Sequence, residues 1–128
     1  MAFESLAYAL LRIFSGFLFA CFGAQKLFGW PVERAAELDA LTTAAGLIEL
    51  LGGLLVTFGF ATRTAAFLCS GTMAVAYWQF HGLRSGQPLP IQNGGVPAVL
   101  FCFIFFYVFA YGSGRLSLDR AIRRRKDH

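Results

Sequence analysis

The sequence predicts an all-α integral membrane protein, a four-helix bundle with its N- and C-termini in the cytoplasm. Three observations carry this. Of 128 residues, 57% are hydrophobic and 14% charged, where a soluble domain carries about 25% charged residues, and the mean hydropathy is +0.60. Apolar stretches approaching the roughly 20 residues that cross a hydrocarbon core recur along the chain. Basic residues crowd one end. One transmembrane domain over residues 1–119 followed by a basic tail over 120–128 accounts for the whole length, leaving no room for a soluble domain.

The first span runs from about Leu6 to Phe28 and the second from about Leu41 to Phe60, ended by a tight turn at Ala61-Thr62-Arg63. The third runs from about Thr64 to Phe80. After a loop rich in Gly, Pro, Gln and Asn, the fourth runs from about Val96 to Tyr111 and stops at Gly112-Ser113-Gly114. Helices are the economical reading, because four short spans cannot close a barrel and every backbone group in lipid needs an internal partner. "LFAC" (Leu18 to Cys21) imitates a lipoprotein cleavage site, but Glu4 and a lone Arg12 replace a basic leader and bulky Phe19 occupies a small-residue position. The first span is therefore read as retained.

Orientation follows from the tail, where Arg120, Arg123, Arg124, Arg125 and Lys126 follow Arg115. The positive-inside rule puts this end in the cytoplasm, and four spans return the N-terminus to the same side. Arg63 then falls inside, and the loop holding Glu33, Arg34, Glu37 and Asp39 falls outside. The net charge of +4 comes from the tail, so its partner is the anionic lipid surface and not nucleic acid.

Small residues mark the faces that meet. Gly16, Ala20 and Ala24 recur every fourth residue on the first span, Gly46, Glu49 and Gly53 share a face of the second, and Ala66, Ser70 and Ala74 repeat the pattern on the third. That spacing lets helices approach closely in lipid. It also turns Glu49 toward a neighbour. Cys21, Cys69 and Cys102 lie on different spans with no C-x-x-C pair, which reads as buried small hydrophobes. His81 and His128 lack ligand spacing with them, so no metal site is expected.

Glu49 lies about 12 Å below the outer surface if its span enters near Leu41, and Gln25 and Lys26 lie about 6 Å deep on the first span. Tyr77 and His81 are one turn apart at the outer end of the third, and Asn93 stands in the returning loop. These groups converge on one level. Singly, Lys26 reads as a snorkelling anchor, Tyr77 as an aromatic-belt residue and Asn93 as a turn former. An intramembrane carboxylate is harder to dismiss, since such groups pair and mark ligand or proton paths.

"FGAQKLFG" (Phe22 to Gly29), "ELLGGLLVTFGFATR" (Glu49 to Arg63), "MAVAYWQFH" (Met73 to His81), "QNGG" (Gln92 to Gly95) and "GSGRLSLD" (Gly112 to Asp119) stand in one order and spacing. Through them nearly the whole chain resembles the DoxX family. The resemblance implies a small bacterial inner-membrane protein of four helices. The related DoxD subunit belongs to a thiosulfate:quinone oxidoreductase, and some relatives are linked to membrane complexes handling thiol or oxidative stress. The resemblance carries over to Gln25, Lys26, Glu49, His81 and Asn93 as a polar site, and to Arg63; Asp119 closes the last shared motif. Phe22 replaces a frequent His, and Val96 a frequent Glu, so part of the family's polar chemistry is missing here.

The leading expectation is a quinone-associated subunit of a redox or stress-response system, with a headgroup site at Gln25, Lys26, Glu49, Tyr77, His81 and Asn93. The chain has no haem-ligand pair, flavin fingerprint or cysteine cluster, so electrons come from a membrane or soluble partner or from the quinone itself, and the chain is at most a non-catalytic or quinone-binding subunit. The alternatives are a small proton-coupled transporter, whose single carboxylate would sit on the first span, and a scaffold that recruits an enzyme through its basic tail.

Overall fold

The fold is that of a computed structural model of the chain, which describes residues 2–33, 38–82, 86, 87 and 89–126. The side chains of Phe80 and His81 lie outside that description, as do Arg34, Glu37 and His128. Among the described residues every regular element is helical. Helix α1 (Phe3–Phe28) is 26 residues long, about 39 Å at 1.5 Å per residue, and ends where Gly29 takes a left-handed conformation. Helix α2 (Ala40–Phe58) starts on Asp39, whose carboxylate accepts from the Thr42 N–H at 2.7 Å, relieving one of the donors a helix N-terminus leaves unmet.

At the end of α2 the Phe60 N–H returns to the Leu55 carbonyl at 2.9 Å and that of Gly59 to Val56 at 3.1 Å. This closure needs a left-handed residue, and Gly59 supplies it at φ 72°. The turn expected at Ala61-Thr62-Arg63 therefore comes earlier. Gly59 and Ala61 carry the left-handed angles, and Thr62 and Arg63 already belong to α3 (Thr62–Ala76). Helix α3 runs straight into a π-helical stretch, Tyr77–Gly82. A short turn, α4 (Pro90–Asn93), precedes α5 (Val96–Tyr111), which carries Pro97 in its first turn, where the missing N–H costs nothing. Helix α6 (Leu118–Lys126) follows the linker and crosses the expected domain–tail boundary at residue 120.

Helix α1 lies along α2, α3 along α5, α2 meets α3, and α1 touches α5. Phe19 fills the centre, its ring centroid 4.7 Å from Phe105 and 5.2 Å from Phe101, with Val56, Cys69 and Val108 fully buried around it. Ser70 Oγ donates to the Cys102 carbonyl at 2.7 Å and ties α3 to α5. The outward faces are apolar too: Phe14, Phe17, Leu47, Leu51, Phe103 and Phe106 are all exposed. Helices α1 and α2 are each long and apolar enough to cross a membrane.

The α1–α2 contact is made backbone to backbone. A Cβ on Gly16 would lie 2.7 Å from the Gly53 carbonyl, and one on Gly53 only 2.6 Å from the Gly16 carbonyl and the Ala20 nitrogen. Neither obstacle is a side chain that can swing away. Gly53→Ala should therefore push α1 from α2 and cost about 1–3 kcal/mol, seen as a lower melting temperature in mild detergent. Gly71→Ala, at a helical position with nothing within 4 Å, should leave the melting temperature equal or raise it.

Candidate functional site

Because Gly46 has no side chain, the stem of Lys26 and Leu27 can lie against α2: a Cβ there would be 3.2 Å from Lys26 Cβ and 3.0 Å from Leu27 Cγ. This brings Lys26 Nζ to both oxygens of Glu49, at 2.8 Å from Oε1 and 2.7 Å from Oε2. Glu49 is 2% exposed and Lys26 35%. The carboxylate is sealed between helices while its partner reaches the rim, with the Phe22 ring centroid 6.0 Å from the ammonium. A charge buried at that level needs such a partner, since alone its desolvation would be several kcal/mol.

The other expected site residues whose side chains are described bond to other partners. Gln25 donates to the Glu33 carbonyl at 3.0 Å and fastens the loop after α1. Asn93 donates to the Tyr77 hydroxyl at 3.3 Å and to the Gln87 carbonyl at 2.8 Å, and accepts from the Gly95 N–H at 2.9 Å. Gly95 packs against the Tyr77 ring, where a Cβ would be 2.7 Å from Cδ2 and Cε2. Asn93 and Tyr77 thus hold the loop before α5 to the end of α3. The His81 side chain lies outside the described residues. Arg63 reaches the Tyr111 carbonyl at 3.4 Å.

Asp119 clasps the α2–α3 turn. Its carboxylate accepts from the N–H groups of Ala61 and Thr62 at 2.9 and 3.0 Å and from the Thr62 hydroxyl at 2.7 Å, while its own N–H donates to the Gly59 carbonyl at 2.8 Å. Ala61 has no side chain that could cap α3, so Asp119 caps it from 58 residues away. Partial burial pushes the Asp119 carboxyl up, but the bonds from Thr62 and Ala61, with Arg123 nearby, outweigh it and hold the group below its ordinary value of 3.8.

A second buried charge has no counterpart among the expected site residues. Arg12 is 1% exposed. Its Nε donates to the Val56 carbonyl at 3.0 Å, its terminal nitrogens to the carbonyls of Ser113 and Leu116, and more weakly to Thr57 at 3.5 Å. Val56 and Thr57 are in the last turn of α2, where the negative end of the helix dipole favours a cation, and the Val56 carbonyl accepts from Arg12 in addition to the Gly59 N–H. One turn earlier on α1, the Tyr8 hydroxyl donates to the Gly112 carbonyl at 2.5 Å. The sequence signal was the spacing of Tyr8, Arg12, Ser15 and Phe19, which puts all four on one helix face.

The DoxX family model matches residues 7–82. A relative from Haemophilus influenzae, named only as an uncharacterized protein, is 36% identical over 116 residues, which cover 87% of each chain. No solved structure matches.

Arg12→Ala should lower stability in detergent by about 3 kcal/mol or more, since it strands several buried carbonyls at once. A carboxyl held below its ordinary value stabilises the docked state above that value and loses the contribution as pH falls through the folded one. Asp119→Ala should accordingly cost about 0.5–2 kcal/mol at neutral pH. The gap between wild type and variant should close below pH 3.8, read by thermal unfolding across the pH range.

Proposed function

We propose that this chain, which belongs to the DoxX family of membrane proteins, is a quinone-associated subunit of a membrane redox or thiol-stress system. It spans the bacterial inner membrane four times, through α1, α2, α3 with its π-helical continuation, and α5. Both termini are cytoplasmic, the basic α6 lying at the inner surface.

The observation that carries this reading is the Lys26–Glu49 pair, one partner sealed and the other at the rim. A quinone headgroup presents carbonyl oxygens, and the Lys26 ammonium is a donor at the depth where such a group rests when its tail lies among phenylalanines. Glu49, bonded to the same ammonium, is placed to take or give the proton exchanged there. Binding by an apolar surround with a few convergent polar groups is the usual design of such sites. The electrons come from a partner subunit. A cation exchanger is the weaker reading, because Lys26 already occupies both oxygens of Glu49 and a cationic substrate would first have to displace it.

The test is lipid extraction and mass spectrometry of the protein purified in mild detergent, wild type beside Glu49→Gln, with folding checked by melting temperature. Quinone should co-purify with the wild type and fall about tenfold or more in the folded variant, where the Lys26 ammonium loses the carboxylate that holds it in place. Wild-type protein without quinone overturns the reading and leaves the ion pair a structural clamp between α1 and α2.

A further inference from the structure

At the other end of α1 a crevice of about 750 Å³ opens between the start of α3, the Gly112–Ser117 linker and α6. Four arginines line it: Arg63 from α3, Arg115 from the linker, and Arg120 and Arg123 from α6. Among the described residues Asp119 is the one carboxylate in the wall, and its oxygens are committed to Ala61 and Thr62. The arginines are much less engaged. Arg63 makes one long bond, 3.4 Å to the Tyr111 carbonyl, and Arg123 one of 3.5 Å to Ser113 Oγ. Among the described residues the guanidinium groups of Arg115 and Arg120 make none. Like charges gathered in one crevice repel, and an anion there relieves all four.

We infer that this crevice binds the phosphate group of an anionic membrane lipid. Guanidinium forks match phosphate oxygens in pairs, which lysines do not. The lipid source follows from position. The crevice lies where apolar α5 gives way to α6, on which Leu118 and Ile122 are one turn apart and exposed while the arginines crowd the remaining surface. A helix of that pattern lies in the interface. Tyr111 and Ile122 add apolar contact to the crevice wall, suited to a glycerol backbone and the start of its chains. Each basic side chain near such a surface adds to the attraction for anionic headgroups. The inference shares with the proposed function only the membrane-spanning reading and holds whether or not quinone binds.

Native mass spectrometry of the full chain in mild detergent, titrated with phosphatidylglycerol, phosphatidylcholine or inorganic phosphate, tests it. Wild-type protein should retain phosphatidylglycerol in preference to phosphatidylcholine. The Arg63→Gln/Arg123→Gln variant should bind phosphatidylglycerol about tenfold or more weakly, and Arg124→Gln/Arg125→Gln, which removes the same charge outside the crevice, should weaken binding far less. Arg120→Gln guards against misfolding, since its side chain makes none of the described hydrogen bonds, and should weaken binding in the same direction. Equal loss in the two double variants overturns the inference in favour of diffuse attraction to the tail. Inorganic phosphate bound with the crevice variants' dependence, and no phosphatidylglycerol retained, overturns the lipid source and assigns the crevice to a soluble phosphate.

Discussion

The backbone contact between α1 and α2 is the constraint on which both buried charges depend. With Gly16 against Gly53 and Gly46 against the stems of Lys26 and Leu27, the two helices run close enough for side chains of one to reach groups of the other at both ends. Dispersion and close approach drive such contacts in lipid, where there is no hydrophobic gain from bringing two apolar helices together. Separating them by a methyl group would lengthen the Lys26–Glu49 pair and the bonds from Arg12 alike.

The two charges are satisfied in opposite ways. Glu49 meets a single full charge, at 2.7 Å. Among the described residues Arg12 meets no carboxylate within hydrogen-bonding reach. It is distributed over backbone carbonyls from the end of α2 and from the linker, a solution open to a group with five donors in a fixed fork. Along α1 the two anchor points, Arg12 and Lys26, are about 21 Å apart at 1.5 Å per residue. One end is therefore a compact ion pair open at its rim. The other is a knot in which α1, α2, the linker and α6 are tied through Arg12, Tyr8 and Asp119.

That difference explains what could be read from the sequence. Helix limits followed from apolar runs and their glycine stops, and Gly16, Ala20, Gly46 and Gly53 marked the touching faces by spacing alone. Depth along two spans set Lys26 beside Glu49. Arg12 escaped because its partners are carbonyls, which every residue has and which leave no mark in a sequence, and because two of them lie more than a hundred positions away. Asp119 stood in a recognisable motif, yet its role required knowing that Ala61 leaves α3 uncapped. The turn shifted for a similar reason: Gly59 tolerates the left-handed angle, and the cap that lets Thr62 begin a helix comes from far along the chain.

The Arg12 knot also imposes an order in time. A ribosome adding roughly 5–20 residues per second makes Arg12 101 residues before Ser113, so the arginine waits on the order of 5–20 seconds for partners that only the last part of the chain supplies. During that interval α2 can offer its terminal carbonyls, and the rest of the guanidinium must stay in contact with water or headgroups. The bonds that tie helix α1 to the linker can therefore close only after residues 113–116 have been made, which leaves this knot among the last contacts of the fold to form.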